Sequence, residues 1–247
     1  MRSPSKAPAK RPCLPACLLS TLLLACSYGH AAANDVRDDV RDDVRGRDAR
    51  AFPRAVADTS VRPGSDVLEV ADWSARSGDN AGKPFVVVDK RNARVFVFDG
   101  AGSPVASAPV LLGAARGDDS APGIGDRRIS DILPHERTTP AGRFVGEAGR
   151  NLQGEDIVWV DYDAAVSMHR VRATNPRERR LERLATPTTA DNRISYGCIN
   201  VPAAFFDRHL SPMFAHRRTA MIYVLPETRP LRQVFGHAID TSALQSR

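Results

Sequence analysis

The stretch Arg193-Ile194-Ser195-Tyr196-Gly197-Cys198-Ile199-Asn200-Val201-Pro202 holds the one cysteine beyond the first 33 residues. A glycine directly before a thiol lets the backbone turn sharply and bring N–H groups close to a bound carbonyl. Ser195 lies three residues upstream of Cys198 and Asn200 two downstream, so hydrogen-bonding side chains flank the sulfur. Upstream, Ser167-Met168-His169 ends an apolar run and offers an imidazole. A cysteine and a histidine distant in sequence are the minimal kit for thiolate catalysis, provided the fold brings them together. The chemistry would be attack on an acyl carbonyl. Cys198 would be the nucleophile and His169 the general base. The backbone N–H of Cys198, with that of Gly197 or Tyr196, would stabilise the oxyanion. Taken alone, His169 reads as a half-buried strand histidine and Cys198 as a small buried apolar residue. Taken together they read as a functional pair.

The spacing dictates what the fold must do. His169 lies 29 residues before Cys198, so the two cannot meet along one helix or strand. They meet if residues 160–169 and 195–200 form neighbouring strands and the segment between loops out. That segment carries Arg170, Arg172, Arg177, Arg179, Arg180, Arg183 and Arg193. Asn175-Pro176 is a helix start, with asparagine as cap and proline in the first turn. Glu178 and Glu182 can pair with the arginines, and the plain reading is a solvated helix. The sharper reading is a lid whose Arg179 and Arg180 bind carboxylates of an acidic peptide, with Asn200 as a further substrate contact. Ser195 either touches substrate or makes ordinary turn hydrogen bonds.

These residues resemble the signature of the L,D-transpeptidase family of bacterial cell-wall enzymes. That signature is a histidine, a gap, then Ser/Thr-His-Gly-Cys, a hydrophobic residue and Asn or Arg. Here it reads His169, then Ser195-Tyr196-Gly197-Cys198-Ile199-Asn200. Thr138-Thr139-Pro140-Ala141-Gly142-Arg143-Phe144 is similar to the family's Thr-Pro-x-Gly-x-Phe segment. The resemblance covers roughly residues 84–226. Two features depart from it: Tyr196 stands where the family has a histidine, and the gap after His169 is longer. The resemblance implies an acyl-enzyme on Cys198, formed from a peptidoglycan tetrapeptide stem and passed to an amine on a neighbouring stem. It implies no cofactor. Water as acceptor would make an L,D-carboxypeptidase, or an amidase that releases wall-linked proteins. Tyr196 and the long gap also suit an inactive wall-binding domain.

Around these motifs the pattern is strand-like. Phe85-Val86-Val87-Val88 and Arg94-Val95-Phe96-Val97-Phe98 flank an Arg91-Asn92 turn and predict a hairpin. Val105–Leu112 reads as a third strand interrupted by Pro109, and residues 113–127 as a polar, Gly-rich loop. Ile157–Val160, Ala164–His169 and Ala220–Leu225 are further strands. Helices are expected at 66–80, after Pro176 and around Pro202 to His209. Many short strands and few helices indicate a mainly β domain. The family resemblance implies a twisted, largely antiparallel β-sandwich. Residues 66–83 are read as a short extension before the domain, and 227–247 as a tail after it.

The start of the chain reads as an export signal. Arg2, Lys6, Lys10 and Arg11 precede Cys17–Cys26, an apolar core too short to span a membrane. Ala31-Ala32-Ala33 offers cleavage before Asn34, the preferred route. Leu23-Leu24-Ala25-Cys26 resembles a lipobox that would lipidate Cys26. Residues 34–65 begin with a repeated Arg-Asp-Asp-Val unit that cannot bury much surface and read as a disordered tether. Loss of residues 1–33 removes four of the 35 Lys+Arg and none of the 29 acids, leaving 31 basic against 29 acidic residues. The basic balance is therefore a poor argument for nucleic acid binding. Cys198 would then be alone in an oxidising compartment, where an unused thiol is a liability. His135, His209, His216 and His237 show no metal-ligand spacing with Cys198, so no metal is expected. The expected location is the periplasm or cell envelope.

Overall fold

A computed structural model describes residues 61–236. The export and lipidation segments, and the tether up to residue 60, lie outside the described residues. Ser65–Ser77 forms helix α1, with Val67, Val70, Ala71 and Trp73 on its buried side. It ends at Gly78 in the left-handed region (φ 72°), the conformation that glycine adopts without a Cβ penalty.

The strands follow as β1 (Phe85–Asp89), β2 (Arg94–Phe98), β3 (Pro104–Pro109) and the short β4 (Leu112–Gly113). Next come β5 (Gly142–Arg150), β6 (Asp156–Asp161) and β7 (Val166–Arg170). The series closes with β8 (Arg193–Ser195), β9 (Ile199–Val201) and β10 (Thr219–Val224). Eight of them make one mixed sheet in the order β3-β2-β1-β10-β5-β6-β7-β9, and β4 pairs with β8. Most neighbours in the large sheet are antiparallel, but β1–β10 and β7–β9 run parallel. The protein is thus mainly β, with one large mixed sheet and a few short helices.

Two cores lie on the two faces of this sheet. One joins Ala106 and Ala108 of β3 with Ile199 and Val201 of β9, the first and last strands in sheet order, so the sheet curls around it. Phe205, Phe206, Leu210 and Phe214 fill the same core from a helical run comprising Ala203–Phe205, a π-helical Phe206–Leu210 and Ser211–Phe214. The second core packs α1 against the outer face of β1, β2 and β10 through Phe85, Val87, Phe96, Phe98 and Tyr223. β1 is therefore buried on both faces, which is why it reads as a continuous rather than alternating apolar run.

Residues on both sides of 84–226 belong to this packing. α1 contributes its buried face, and Leu231 and Phe235 close the second core from a helical stretch at 231–236. Two strands, β5 and β8, carry no expectation from the sequence, and β9 forms only at the end of the 195–200 stretch expected as one. β5 is rich in glycine and charge yet is hydrogen-bonded on both edges, to β10 and β6. β8 and β9 are only three residues each. The strand expected over 105–112 is instead divided, and its halves join different sheets. Among the described residues no helix is long and apolar enough to cross a membrane.

Candidate functional site

β7 and β9 lie side by side in parallel, with Met168 opposite Ile199 and His169 opposite Asn200. Side chains alternate faces along a strand. Val166 and Met168 enter the core from β7, as do Ile199 and Val201 from β9. The opposite face therefore carries Ser167 and His169 from β7 and Asn200 from β9, with Cys198 directly before that strand. The two residues 29 positions apart are brought together by strand pairing, as the spacing required.

Cys198 is half-buried. Its Sγ lies 3.6 Å from Ser167 Oγ, and the thiol donates to the Ala165 carbonyl at 3.7 Å. Burial pushes the thiol up. The His169 imidazole, then the backbone and side-chain donors of Ser167, outweigh that penalty, and the net shift is below the ordinary 9.0. His169 Nδ1 lies 2.8 Å from the Arg170 carbonyl oxygen. A carbonyl only accepts, so Nδ1 carries a proton and Nε2 is the ring nitrogen left to exchange one. This backbone carbonyl is the group that orients the imidazole. Asn200 Nδ2 stands 3.5 Å from that Nε2.

The loop before Cys198 is fixed by its own polar groups. Ser195 Oγ donates to the Cys198 carbonyl at 2.6 Å and accepts from Gly197 N–H at 3.1 Å. The Ser195 hydroxyl thus both donates and accepts inside the loop, and the Gly197 amide is engaged. Gly197 has φ 131°, and a Cβ there would stand 2.8 Å from the Thr138 carbonyl oxygen. Only glycine fits that approach. Thr139 Oγ1 donates to the Gly197 carbonyl at 2.8 Å and accepts from Gly113 N–H at 2.9 Å. The Thr-Pro-x-Gly-x-Phe segment therefore buttresses the nucleophile loop through its first residue. Tyr196 is exposed, and the Arg137 guanidinium lies 4.1 Å from its ring centroid.

The remaining sequence candidates separate. Asn200 is fully buried. Its Oδ1 accepts from Arg180 Nη1 at 2.6 Å, and its Nδ2 donates to the Cys198 carbonyl at 3.3 Å. Its side chain links Arg180 to the imidazole and has no free face for a ligand. Arg180 opens helix α2 (Arg180–Ala185) and reaches inward. Arg179 sits in the left-handed region, exposed and paired with Glu182. Asn175 caps the preceding 3-10 turn by accepting from Arg177 N–H at 3.1 Å. Arg193, grouped with the solvated arginines by sequence, instead lies on β8 with its side chain buried against Glu227.

Sequence reasoning missed the support beneath this loop. Lys90 is fully buried, and its Nζ donates to Asp118 Oδ1, the Gly117 carbonyl and the Thr139 carbonyl at 2.6–2.8 Å. Asp118 also accepts from the amides of Glu227, Thr228 and Arg229. Burial alone would raise its pKa, yet Lys90, Thr228 and the Glu227 amide hold it far below the usual carboxylate range. A chain of polar contacts thus runs from Lys90 through Thr139 to Gly197. Ser167 was also missed, although its two-residue offset from His169 puts it on the same strand face. His169 further lines an open cleft of about 430 Å³ with Glu155, Asp156, Arg170 and Ala203. No group of acidic, histidine and cysteine side chains suited to a metal ion occurs among the described residues.

No family model and no curated protein matches the sequence. Several solved structures are similar at low identity, three of them as follows. One is a fused Zn-dependent amidase/peptidase/peptidoglycan-binding domain-containing protein from Clostridium acetobutylicum, at 13% identity and TM-score 0.32 over 68% of this chain and 66% of that one. Another is the LD transpeptidase LdtMt1 in complex with imipenem, at 16% identity and TM-score 0.31 over 57% and 58%. The third is the helical cell shape determining protein Pgp2 from Campylobacter jejuni, at 13% identity and TM-score 0.38 over 74% and 64%. The chain therefore matches less than two thirds of the length of each. Overlap this loose carries no inference about what the chain does.

Proposed function

We propose that this chain is an exported peptidoglycan L,D-transpeptidase working in the cell envelope by cysteine acyl transfer. The observation that carries the reading is the 2.8 Å contact between His169 Nδ1 and the Arg170 carbonyl oxygen. With Nδ1–H held by the Arg170 carbonyl, Nε2 is the ring nitrogen that takes the Cys198 proton. The thiolate attacks the carbonyl joining the L-centre of a diamino acid to the terminal D-alanine of a tetrapeptide stem. The oxyanion is assigned to the backbone N–H groups of Cys198 and Tyr196, since the Gly197 amide is engaged by Ser195. The C–N bond breaks, His169 returns its proton to the leaving D-alanine, and a thioester remains. An amine of a second stem, or of a wall-linked protein, then attacks the thioester. Its proton passes to His169, the C–S bond breaks, and the thiolate is regenerated. No metal or cofactor has a step in this cycle.

In this reading Ser167 stabilises the thiolate, and Asn200 with Ser195 holds the loop. Arg180 holds Asn200 from the side of α2, while the exposed Arg179 pairs with Glu182. Tyr196, exposed beside Arg137, is assigned to the substrate rim.

The test is intact mass after incubation with a carbapenem, an acyl donor that traps such thioesters, alongside Cys198→Ala. A stable adduct on the parent and none on Cys198→Ala is expected. A parent that neither forms an adduct nor releases D-alanine from a tetrapeptide contradicts the enzyme reading and favours a wall-binding domain.

A further inference from the structure

Behind the His169 cleft lies a second one, of about 400 Å³, between the β5–β6 hairpin and residues 211–217. Asp156 and Ile157 line both, so the two clefts share a wall. The second has an apolar floor from Ile157, Phe206 and Phe214. Its rim carries Arg150, His216 and Arg217. Among the described residues, these three side chains make no hydrogen bond or ion pair. That sets them apart from the cations of the first cleft. There, Arg170 pairs with Asp207 and lies near Asp156, while Arg172 pairs with Glu155. His216 and Arg217 also have φ of 57° and 59°, so two consecutive non-glycine residues occupy the left-handed region. Such conformations persist where the surroundings impose them, and they cluster at ligand sites.

We infer that this second cleft is a carboxylate-binding subsite for the acceptor peptide, with Arg150 and Arg217 holding a free carboxylate while the acceptor amine reaches His169 through the adjoining cleft. The inference rests on the acyl-transfer reading for the role of the amine. It rests on the cleft alone for the carboxylate. The amine must approach from a side that His169 lines, because Nε2 takes its proton as the new C–N bond forms and the C–S bond breaks. The charge-balanced first cleft admits an apolar chain or a neutral backbone. The two guanidinium groups that line the second cleft without an acidic partner favour an anion, and a guanidinium fork matches a carboxylate geometrically. Asp156 is the one carboxylate on the second rim. It disfavours highly charged anions and suits a single carboxylate.

The test uses a short peptide bearing a primary amine and a free C-terminal carboxylate, together with its C-terminal amide. NMR titration of the purified protein should shift amides of 148–158 and 211–217 with the acid and far less with the amide. The double variant Arg150→Gln with Arg217→Gln should bind the acid about tenfold more weakly and the amide unchanged, as expected for a lost charge-assisted pair. Its rate of acylation by a carbapenem should equal the parent's, because neither arginine touches Cys198 or His169. Equal binding of acid and amide by the parent, or an unchanged acid affinity in the variant, overturns the subsite. Failure of the parent to be acylated overturns the acyl-transfer reading instead, and leaves the binding result to decide the subsite.

Discussion

At one end of the large sheet, β1, β2 and β10 are packed on both faces, with α1 covering the outer side. At the other end, β7 and the three-residue β9 put apolar side chains on one face only, and the other carries Ser167, His169 and Asn200 beside Cys198. The first region is held by apolar area. Phe85 and Phe98 stack at 5.2 Å, and each large side chain buried there is worth roughly 1.5–3 kcal/mol. The second is held by directed polar contacts: Lys90 on the Thr139 carbonyl, Thr139 on Gly197, Ser195 on the Cys198 carbonyl, and Arg180 on Asn200. Apolar packing tolerates changes of shape that keep volume. A polar scaffold does not tolerate removal of one partner, since the other is left buried and unsatisfied. Placement of a nucleophile is thus separated from the bulk of folding stability.

Substitutions can test that separation. Lys90→Met should be the most damaging, because it takes the fully buried ammonium away from Asp118 and Glu227 and leaves them to the less buried Arg229, Arg193 and Arg116. Breaking a buried pair costs about 3–5 kcal/mol, or on the order of 10 °C in Tm for a domain this size. It should also slow acylation, which thermal melts and carbapenem adduct kinetics would register together. Phe85→Ala should cost a similar ~3–5 kcal/mol through its cavity but leave the acylation rate of the folded protein unchanged. A matching loss of rate would mean the two ends are coupled. Gly197→Ala should behave in the opposite way. Its Cβ would meet the Thr138 carbonyl and displace the loop, lowering the acylation rate by about 100-fold with a small change in Tm. Arg180→Gln removes one link from Asn200 and should slow acylation about fivefold, near 1 kcal/mol. An unchanged rate would detach α2 from the site.

The same contrast governs what the sequence discloses. The packed end is legible because apolar runs and turn residues are local signals. The hairpin over Phe85–Phe98, strand β10 and helix α1 all follow from them. β5 is not legible, since its three glycines and three charged positions resemble a loop, and only pairing with β10 and β6 makes it a strand. Cys198 and His169 stand out by residue type, and their juxtaposition follows from the need for neighbouring strands. Their support does not stand out. Lys90, Asp118 and Glu227 sit in turn sequences of ordinary surface composition, and nothing local announces that residues so far apart form one buried cluster. The segment after Pro176 shows a smaller failure of the same sort. Its cap is legible, but the left-handed Arg179 that breaks the helix and turns Arg180 inward is not.

The central claim is that His169 activates Cys198, and the pH dependence of thiol alkylation tests it most directly. The rate of iodoacetamide modification would be measured from pH 5 to 10 on the parent and on His169→Gln. A depressed thiol pKa means that thiolate persists to lower pH. The parent's rate should therefore rise with a midpoint below the ordinary 9.0, and the variant's midpoint should move upward as the imidazole's contribution is lost. Coincident profiles with a midpoint at or above 9.0 would contradict the pairing and leave Cys198 an ordinary thiol.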